Sequence, residues 1–233
     1  MTFLRLIAVF ALFAVLVGAP ASSTHAQSAK SQFIESLSEI NRIDPTQRKG
    51  YESAAQTLDK RVLDKKNKVV GEVNDVVLGD NGEIESLYVD FDRLHLDSPV
   101  YISYRQMNIS SVSNGYAMTF NDKQIQDIYP ELLAGIETAA GEDAGNVSVR
   151  NVIGATVKTK DGRKIADVED VMFSAGGGRA EVLYLALAYS VMRGKKLGVP
   201  YNSMEYRPVP GGKAEIIATN EQADAIAAFV KSK

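Results

Sequence analysis

Val69–Phe91 reads VVGEVNDVVLGDNGEIESLYVDF and decides the fold. Two apolar runs flank Asn81-Gly82, a pair that tolerates positive φ and predicts a β-hairpin closed by a type I′ turn. In the first run Val70, Val73 and Val76 recur three apart, which suits neither a flat strand nor a helix. A β-bulge or sharp coil near Gly71 reconciles them. In the second run Leu87, Val89 and Phe91 alternate with Tyr88 and Asp90, the pattern of a half-buried strand.

The same hairpin returns at Lys164–Leu187, KIADVEDVMFSAGGGRAEVLYLAL. Gly71–Val76 matches Ala166–Val171 at an offset of 95, and Leu87–Val89 matches Leu183–Leu185 at 96. Tyr104 and Met107 match Tyr201 and Met204 at 97, and Asp122–Gln124 matches Asn220–Gln222 at 98. The drift falls between strands, where insertions are tolerated. The chain therefore carries two copies of one small β-domain, at residues 58–129 and 149–233. Residues 130–148 form a linker, in which Leu132–Ala140 can make a short helix that Gly141–Gly145 breaks. In the first copy Asn121 is placed to cap a helical turn reaching Ile128.

An apolar strand, a polar turn, V/I-G/A-x-V-x-D-V, a turn with Gly and a second apolar strand together resemble the PRC-barrel family. The residues are Val62, Val70, Gly71, Val73, Asp75, Gly82 and Leu87 in the first copy. In the second they are Val157, Ile165, Val168, Asp170, Gly177 and Leu183, with Ala166 where Gly is usual. Val199–Met204 resembles the strand before the family's last hairpin, and Thr219–Ala223 the helical turn that ends many members. The resemblance implies an all-β fold with short flanking helices, built as two tandem small PRC-type β-barrels. It also implies assembly onto protein partners by a domain not known for catalysis. The motif positions Gly71, Asp75, Ala166 and Asp170 are mainly turn and core positions, so they transfer fold and not function.

The N-terminus reads as an address. Arg5 precedes an apolar run, Leu6–Val17, followed by small residues and Thr24-His25-Ala26. This is a signal-peptide pattern, residues 1–26 with the cut after Ala26; Ala19-Pro20-Ala21 is a second option. The run is shorter than the roughly 20 apolar residues a spanning helix needs. The expected location is periplasmic or secreted. Residues 27–57 form a helical or linker segment. Gln27–Lys30 is expected to be disordered, and Phe33, Ile34, Leu37 and Ile40 predict a helix from Ser31 to Ile43 packed on the first barrel, the alternative being a partner-binding helix in a mobile arm. A second helical stretch is expected over Pro45–Gln56.

Composition excludes several chemistries. The 233 residues contain no cysteine and two histidines, one of them (His25) in the expected signal. A zinc site of His and Cys ligands cannot be assembled from His95 alone, and no serine-nucleophile signature accompanies it. Asp90, Asp92 and Asp97 lack the central Gly and closing Glu of a calcium loop. Gly176–Gly178 lacks the Lys-Ser/Thr of a phosphate loop and reads as a flexible turn. Asp75 and Asp170 read as carboxylates accepting backbone N–H groups at a bulge. A net charge of −3 gives no footprint for nucleic acid. Arg193-Gly-Lys-Lys196 is the most compact basic cluster of the second copy; it reads as a solvated turn, with contact to an anionic partner or a lipid surface as the alternative. No catalytic, metal or cofactor-binding residue is assigned, and no cofactor is expected.

One asymmetry points to an interface. Val182–Val191 (VLYLALAYSV) is apolar on both faces, and such a strand is normally covered on both sides. It is expected to dock against the first barrel or another chain through Tyr184, Ala186 and Ala188. The functional expectation is a non-enzymatic exported module that binds a protein in the envelope. The alternative is a small-ligand carrier or sensor using the groove between the barrels.

Overall fold

Paired bulges bend each long hairpin into a barrel wall. The computed structural model describes residues 22–134, 146–189 and 193–232. The expected signal segment up to residue 21 and linker residues 135–145 lie outside the described residues. In chain order the elements are α1 (Ser22–Ile40), a 3-10 turn (Pro45–Gln47), β1 (Tyr51–Ser53), α2 (Ala54–Leu58), β2 (Arg61–Leu63), β3 (Val69–Leu78) and β4 (Ile84–Asp90). A 3-10 turn (Asp92–Leu94), β5 (Val100–Ser103), β6 (Ser110–Val112), β7 (Gly115–Ala117) and α3 (Asp122–Ala134) complete the first unit. The second has β8 (Val147–Ser148), α4 (Val149–Val152), β9 (Thr156–Thr159), β10 (Lys164–Ser174) and β11 (Ala180–Leu187). It ends with β12 (Lys196–Pro200), a 3-10 turn (Tyr201–Ser203), β13 (Glu205–Arg207), β14 (Glu215–Ala218) and α5 (Asn220–Lys231).

The strands form two seven-stranded mixed sheets. One has the order β5-β4-β3-β2-β7-β6 with β8 added on β3; the other has β12-β11-β10-β9-β14-β13 with β1 added on β10. The β2–β7 and β9–β14 pairs are parallel. The fold is mostly β with short helices, as the repeat pattern predicts.

The bulges explain the valines three apart. Val62 pairs with Gly71 but Leu63 with Val69, so Val70 is an extra residue on β3. Val73 pairs with Val89 but Asp75 with Tyr88, so Asn74 is a second. With these two insertions Val70, Val73 and Val76 all reach the core, at 0%, 2% and 0% exposure. β10 repeats the device: register shifts fall between Lys164 and Ala166 and between Val168 and Asp170. Gly71 has its own reason to be glycine, because a Cβ there would stand 2.4 Å from the Asp90 carbonyl oxygen.

The turn at Asn81-Gly82 differs from expectation. Only Gly82 of the pair has positive φ (84°), whereas a type I′ turn needs it at both. Gly82 N–H donates to Gly79 O at 2.9 Å, and Gly79 N–H to Glu83 O at 3.0 Å. The loop is thus longer by one bulged glycine, and Gly177 (φ 74°), bonded to Ser174 O, repeats it.

The N-terminal segment also departs from its reading. α1 begins at Ser22 and includes Gln27–Lys30, which were expected to be disordered. It packs on the second barrel, against α5 and β12, and not on the first. The physical reason is the apolar outer face of β10 and β11: Ile40 and Tyr51 close over Met172, Val182 and Tyr184. Pro45–Gln56 is no single helix, since β1 interrupts it between the 3-10 turn and α2. α3 is capped as predicted, with reciprocal bonds between Asn121 and Gln124, but it continues through Pro130 to Ala134.

Candidate functional site

The two barrels are joined by reciprocal exchange of the strands that lead into them. β1 precedes the first barrel but pairs with β10 of the second, Tyr51 opposite Ser174 and Ser53 opposite Met172. β8 precedes the second barrel but pairs with β3 of the first, Val77 opposite Ser148 and Leu78 opposite Val147. After each exchanged strand the chain turns into a short helix capped by a serine, Ser53 for α2 and Ser148 for α4. The motif aspartate of the opposite barrel meets that helix start. Asp170 Oδ1 accepts from Ala54 N–H at 3.0 Å and from Val171 N–H at 2.8 Å. Asp75 accepts from the Ser148 hydroxyl, from Arg150 N–H at 3.3 Å and from Val76 N–H at 2.8 Å. A carboxylate at a helix N-terminus satisfies donors that lack an intrahelical partner.

Each aspartate is therefore a bulge acceptor, as its position suggests, and also a staple between barrels. Burial pushes the carboxyl of Asp75 above the usual range, against the bonds from Ser148, Val76 and Arg150 that favour its charge. Asp170 shifts the same way, by burial against its bonds from Ala54 and Val171.

The hairpin tips lock as well. Ala180 N–H donates to Gly82 O at 2.9 Å, and Arg179 Nη2 to Asn81 O at 3.0 Å. Glu83 and Arg179 occupy equivalent positions and form an antiparallel bridge, as residues beside a two-fold axis would. On the other side the glycine tip of the second barrel enters the first. The Tyr116 hydroxyl donates to Gly177 O at 2.6 Å, Ser111 donates to Gly176 O, and Gly176 N–H donates to Glu52 at 3.0 Å. Lys60, only 9% exposed, pairs there with Glu52 at 2.6 Å. Burial raises the hydroxyl pKa of Tyr116 and of Tyr201, which packs under Gly82. One apolar core runs through both barrels, from Val62, Leu87 and Ile102 to Leu183, Val199 and Ile226.

The proposed interaction strand has a definite setting. Tyr184 is 6% exposed, and its hydroxyl donates to Asp44 at 3.1 Å. Burial, then that bond, pushes its pKa up to about 12. Ala186 and Ala188 are half-buried. What covers Tyr184 is the chain's own N-terminal segment, whose Ile40 and Tyr51 pack on its cluster. Asn41 completes the seat by bonding Gly198 on both sides, Nδ2 to its carbonyl at 2.7 Å and its N–H to Oδ1 at 2.8 Å. Gly198 permits the approach, since a Cβ would lie 2.7 Å from both Ile40 and Pro45. The counterpart of Gly198 on the first barrel is Tyr101, which packs on Tyr88 with ring centroids 4.5 Å apart and planes tilted by 31°. There aromatic side chains take the place that a helix takes on the second barrel.

Two of the clefts have mainly polar linings. One of about 450 Å³ is lined by Glu72, Asn74, Asp90, Asp92, Arg93 and His95. His95 is exposed in a left-handed conformation, φ 57°. Another, about 230 Å³, lies where α1, Asn81 of the first barrel and Arg179 of the second meet. Among the described residues no group of three or more His, Asp or Glu side chains is placed to hold a metal ion. Among them, too, no helix is long and apolar enough to cross a membrane.

Comparison with known proteins agrees with the fold. The model of the PRC-barrel domain family matches the chain twice, at residues 50–126 and 144–223. These matches cover most of the sequence, and the chain belongs to the PRC-barrel family. No curated protein matches it. The exchanged strands were missed by sequence reasoning. Their one signal was the Ser53/Ser148 pair, at the same offset as Asp75/Asp170.

Proposed function

We propose that this protein is a non-enzymatic assembly module that binds a protein partner in the cell envelope after export. The observation that carries the reading is the use of the chain's polar groups. The side chains best suited to chemistry (Asp75, Asp170, Lys60, Glu52 and Tyr116) are all engaged in holding one barrel to the other. What is left for function is the outer surface of the joined barrels. Family membership supports the same reading, and the apolar run Leu6–Val17 with Thr24-His25-Ala26 supports export.

The test is capture of tagged chain, from Gln27 onward, out of envelope extract under mild cross-linking. A dominant protein partner recovered at reproducible stoichiometry is the expected result. Partner-free recovery would refute the reading and favour a ligand carrier. That second reading would use the cleft beside Asn81 and Arg179, whose roughly 230 Å³ is below the usual range of about 300–1,000 Å³ for a small-molecule site. A thermal-shift screen distinguishes it, because a bound ligand raises Tm by mass action.

A further inference from the structure

One end of the second barrel gathers unpaired cations around a protruding apolar side chain. Three stretches converge there: the segment after α1, the residues leading into β12 from Arg193 and the end of α5. Asn41, Asp44, Lys195, Lys196, Phe229 and Val230 line one shared cleft of about 350 Å³. Around it Arg42, Arg193, Lys195, Lys196 and Lys231 are all exposed. Of these five only Lys196 has an ion pair among the described residues, with Glu169 at 2.5 Å. Asp44, the one acid lining the cleft, is committed to Thr46 and Tyr184. Its carboxyl is held below the usual range: burial opposes this, but bonds from Thr46 and Tyr184 and the Lys196 charge prevail. A local excess of positive charge thus sits on a chain whose net charge is −3. Beside it Ile43 is 53% exposed, more than Val209 (42%) or Leu133 (38%), the other exposed large apolar side chains among the described residues.

We propose that this end is a foot that rests on an anionic membrane surface, with Ile43 entering the headgroup layer and Arg42, Arg193, Lys195 and Lys231 facing lipid phosphates. Charge complementarity carries the choice of occupant. A bilayer attracts each nearby Lys or Arg independently and demands no matching shape, which suits flexible unpaired cations around a single projecting side chain. One apolar insertion alone gives weak, reversible attachment, and a basic cluster supplies the second attraction that peripheral binding requires. On the first barrel Lys68 pairs with Asp122 and Lys123 with Asp127, whereas Lys65 and Lys66 have no ion pair among the described residues and serve as an internal control. The inference goes beyond protein binding, because it says where the module stands and which end faces away from the membrane.

The test is co-sedimentation with vesicles of phosphatidylcholine alone and of phosphatidylcholine mixed with phosphatidylglycerol. The chain from Gln27 serves, because the first buried side chain among the described residues is Phe33. Binding to the anionic vesicles is expected, weakening as salt is raised. Arg193→Glu combined with Lys195→Glu lowers it by about tenfold or more, since each cation near such a surface counts separately. Ile43→Ser lowers it several-fold while leaving the salt dependence in place. Circular dichroism of all variants stays that of the parent, because these side chains are exposed and make no hydrogen bond or ion pair among the described residues. Equal binding to both compositions, no binding to either, or an unchanged double variant would overturn the proposal. Salt-sensitive retention on an immobilised acidic peptide, without vesicle binding, would replace the lipid by a protein.

Discussion

Replacing Asp75 by alanine should loosen the joint more than any surface substitution of similar size. The side chain is 7% exposed and accepts from Val76 N–H, Arg150 N–H and the Ser148 hydroxyl. Alanine leaves two backbone donors without an acceptor at a buried site, each costing about 1–3 kcal/mol. Relief of the buried charge offsets part of this, so a net loss of about 3 kcal/mol follows. For a chain of this size that lowers Tm by about 6–12 °C. Asp75→Asn keeps an acceptor for both N–H groups and can donate its amide to Ser148, so it should lie within about 1 kcal/mol of the parent. The comparison is made by thermal and urea unfolding of both variants. The sign of the pH effect follows from the raised carboxyl pKa. The folded state holds the Asp75 proton more tightly than the unfolded chain, whose reference is 3.8. The associated stability is present in full below that value and is lost as pH rises through the folded pKa. Asp75→Asn therefore gains on the parent as pH rises through that window, and the difference levels off above it. Alanine and asparagine variants of equal stability, or an Asp75→Ala Tm within about 1 °C of the parent, would refute the staple.

Other consequences are equally direct. Gly82→Ala sets a Cβ 2.3 Å from the Ala180 carbonyl oxygen at a residue with φ 84°, so it should cost more than the roughly 1 kcal/mol of left-handed strain alone, read by urea unfolding. Gly198→Tyr places on the second barrel the residue that the first has at Tyr101. It should evict α1, seen as rapid proteolysis within residues 29–50 while the barrels stay folded. Tyr184→Phe removes only the bond to Asp44 and should cost about 0.5–1.5 kcal/mol, with normal burial retained.

Much of the architecture was legible in particular residues. Val70, Val73 and Val76 at threefold spacing announced a bulge, because no unbroken strand turns all three inward. The internal repeat and the glycine turns then implied two barrels. The apolar outer face of β11 announced a cover, but hydrophobicity is non-directional and does not name the element that supplies it. Gly198 was the mark of close approach there, legible only once Ile40 and Pro45 were seen above it. Strand exchange was hidden for a related reason. β1 and β8 are two or three residues long, below the length at which periodicity carries information, and their pairing is set by distant register. Asp75 and Asp170 looked like local acceptors because a bulge offers a local donor. Their second partners lie 75 and 116 residues away, at Arg150 and Ala54.

The central claim is that each barrel is completed by the strand leading into the other, and a single engineered disulfide tests it most directly. Tyr51 and Ser174 stand opposite each other in the β1–β10 pair, and the chain has no cysteine to interfere. Opposite residues of an antiparallel pair lie about 4.5–5.5 Å apart at Cα, within the range a disulfide spans. Tyr51→Cys with Ser174→Cys should oxidise within one chain at low protein concentration and migrate as a compact monomer on a non-reducing gel, with each single variant remaining free thiol. Failure of the double variant to close, or closure only between chains, would contradict the exchange.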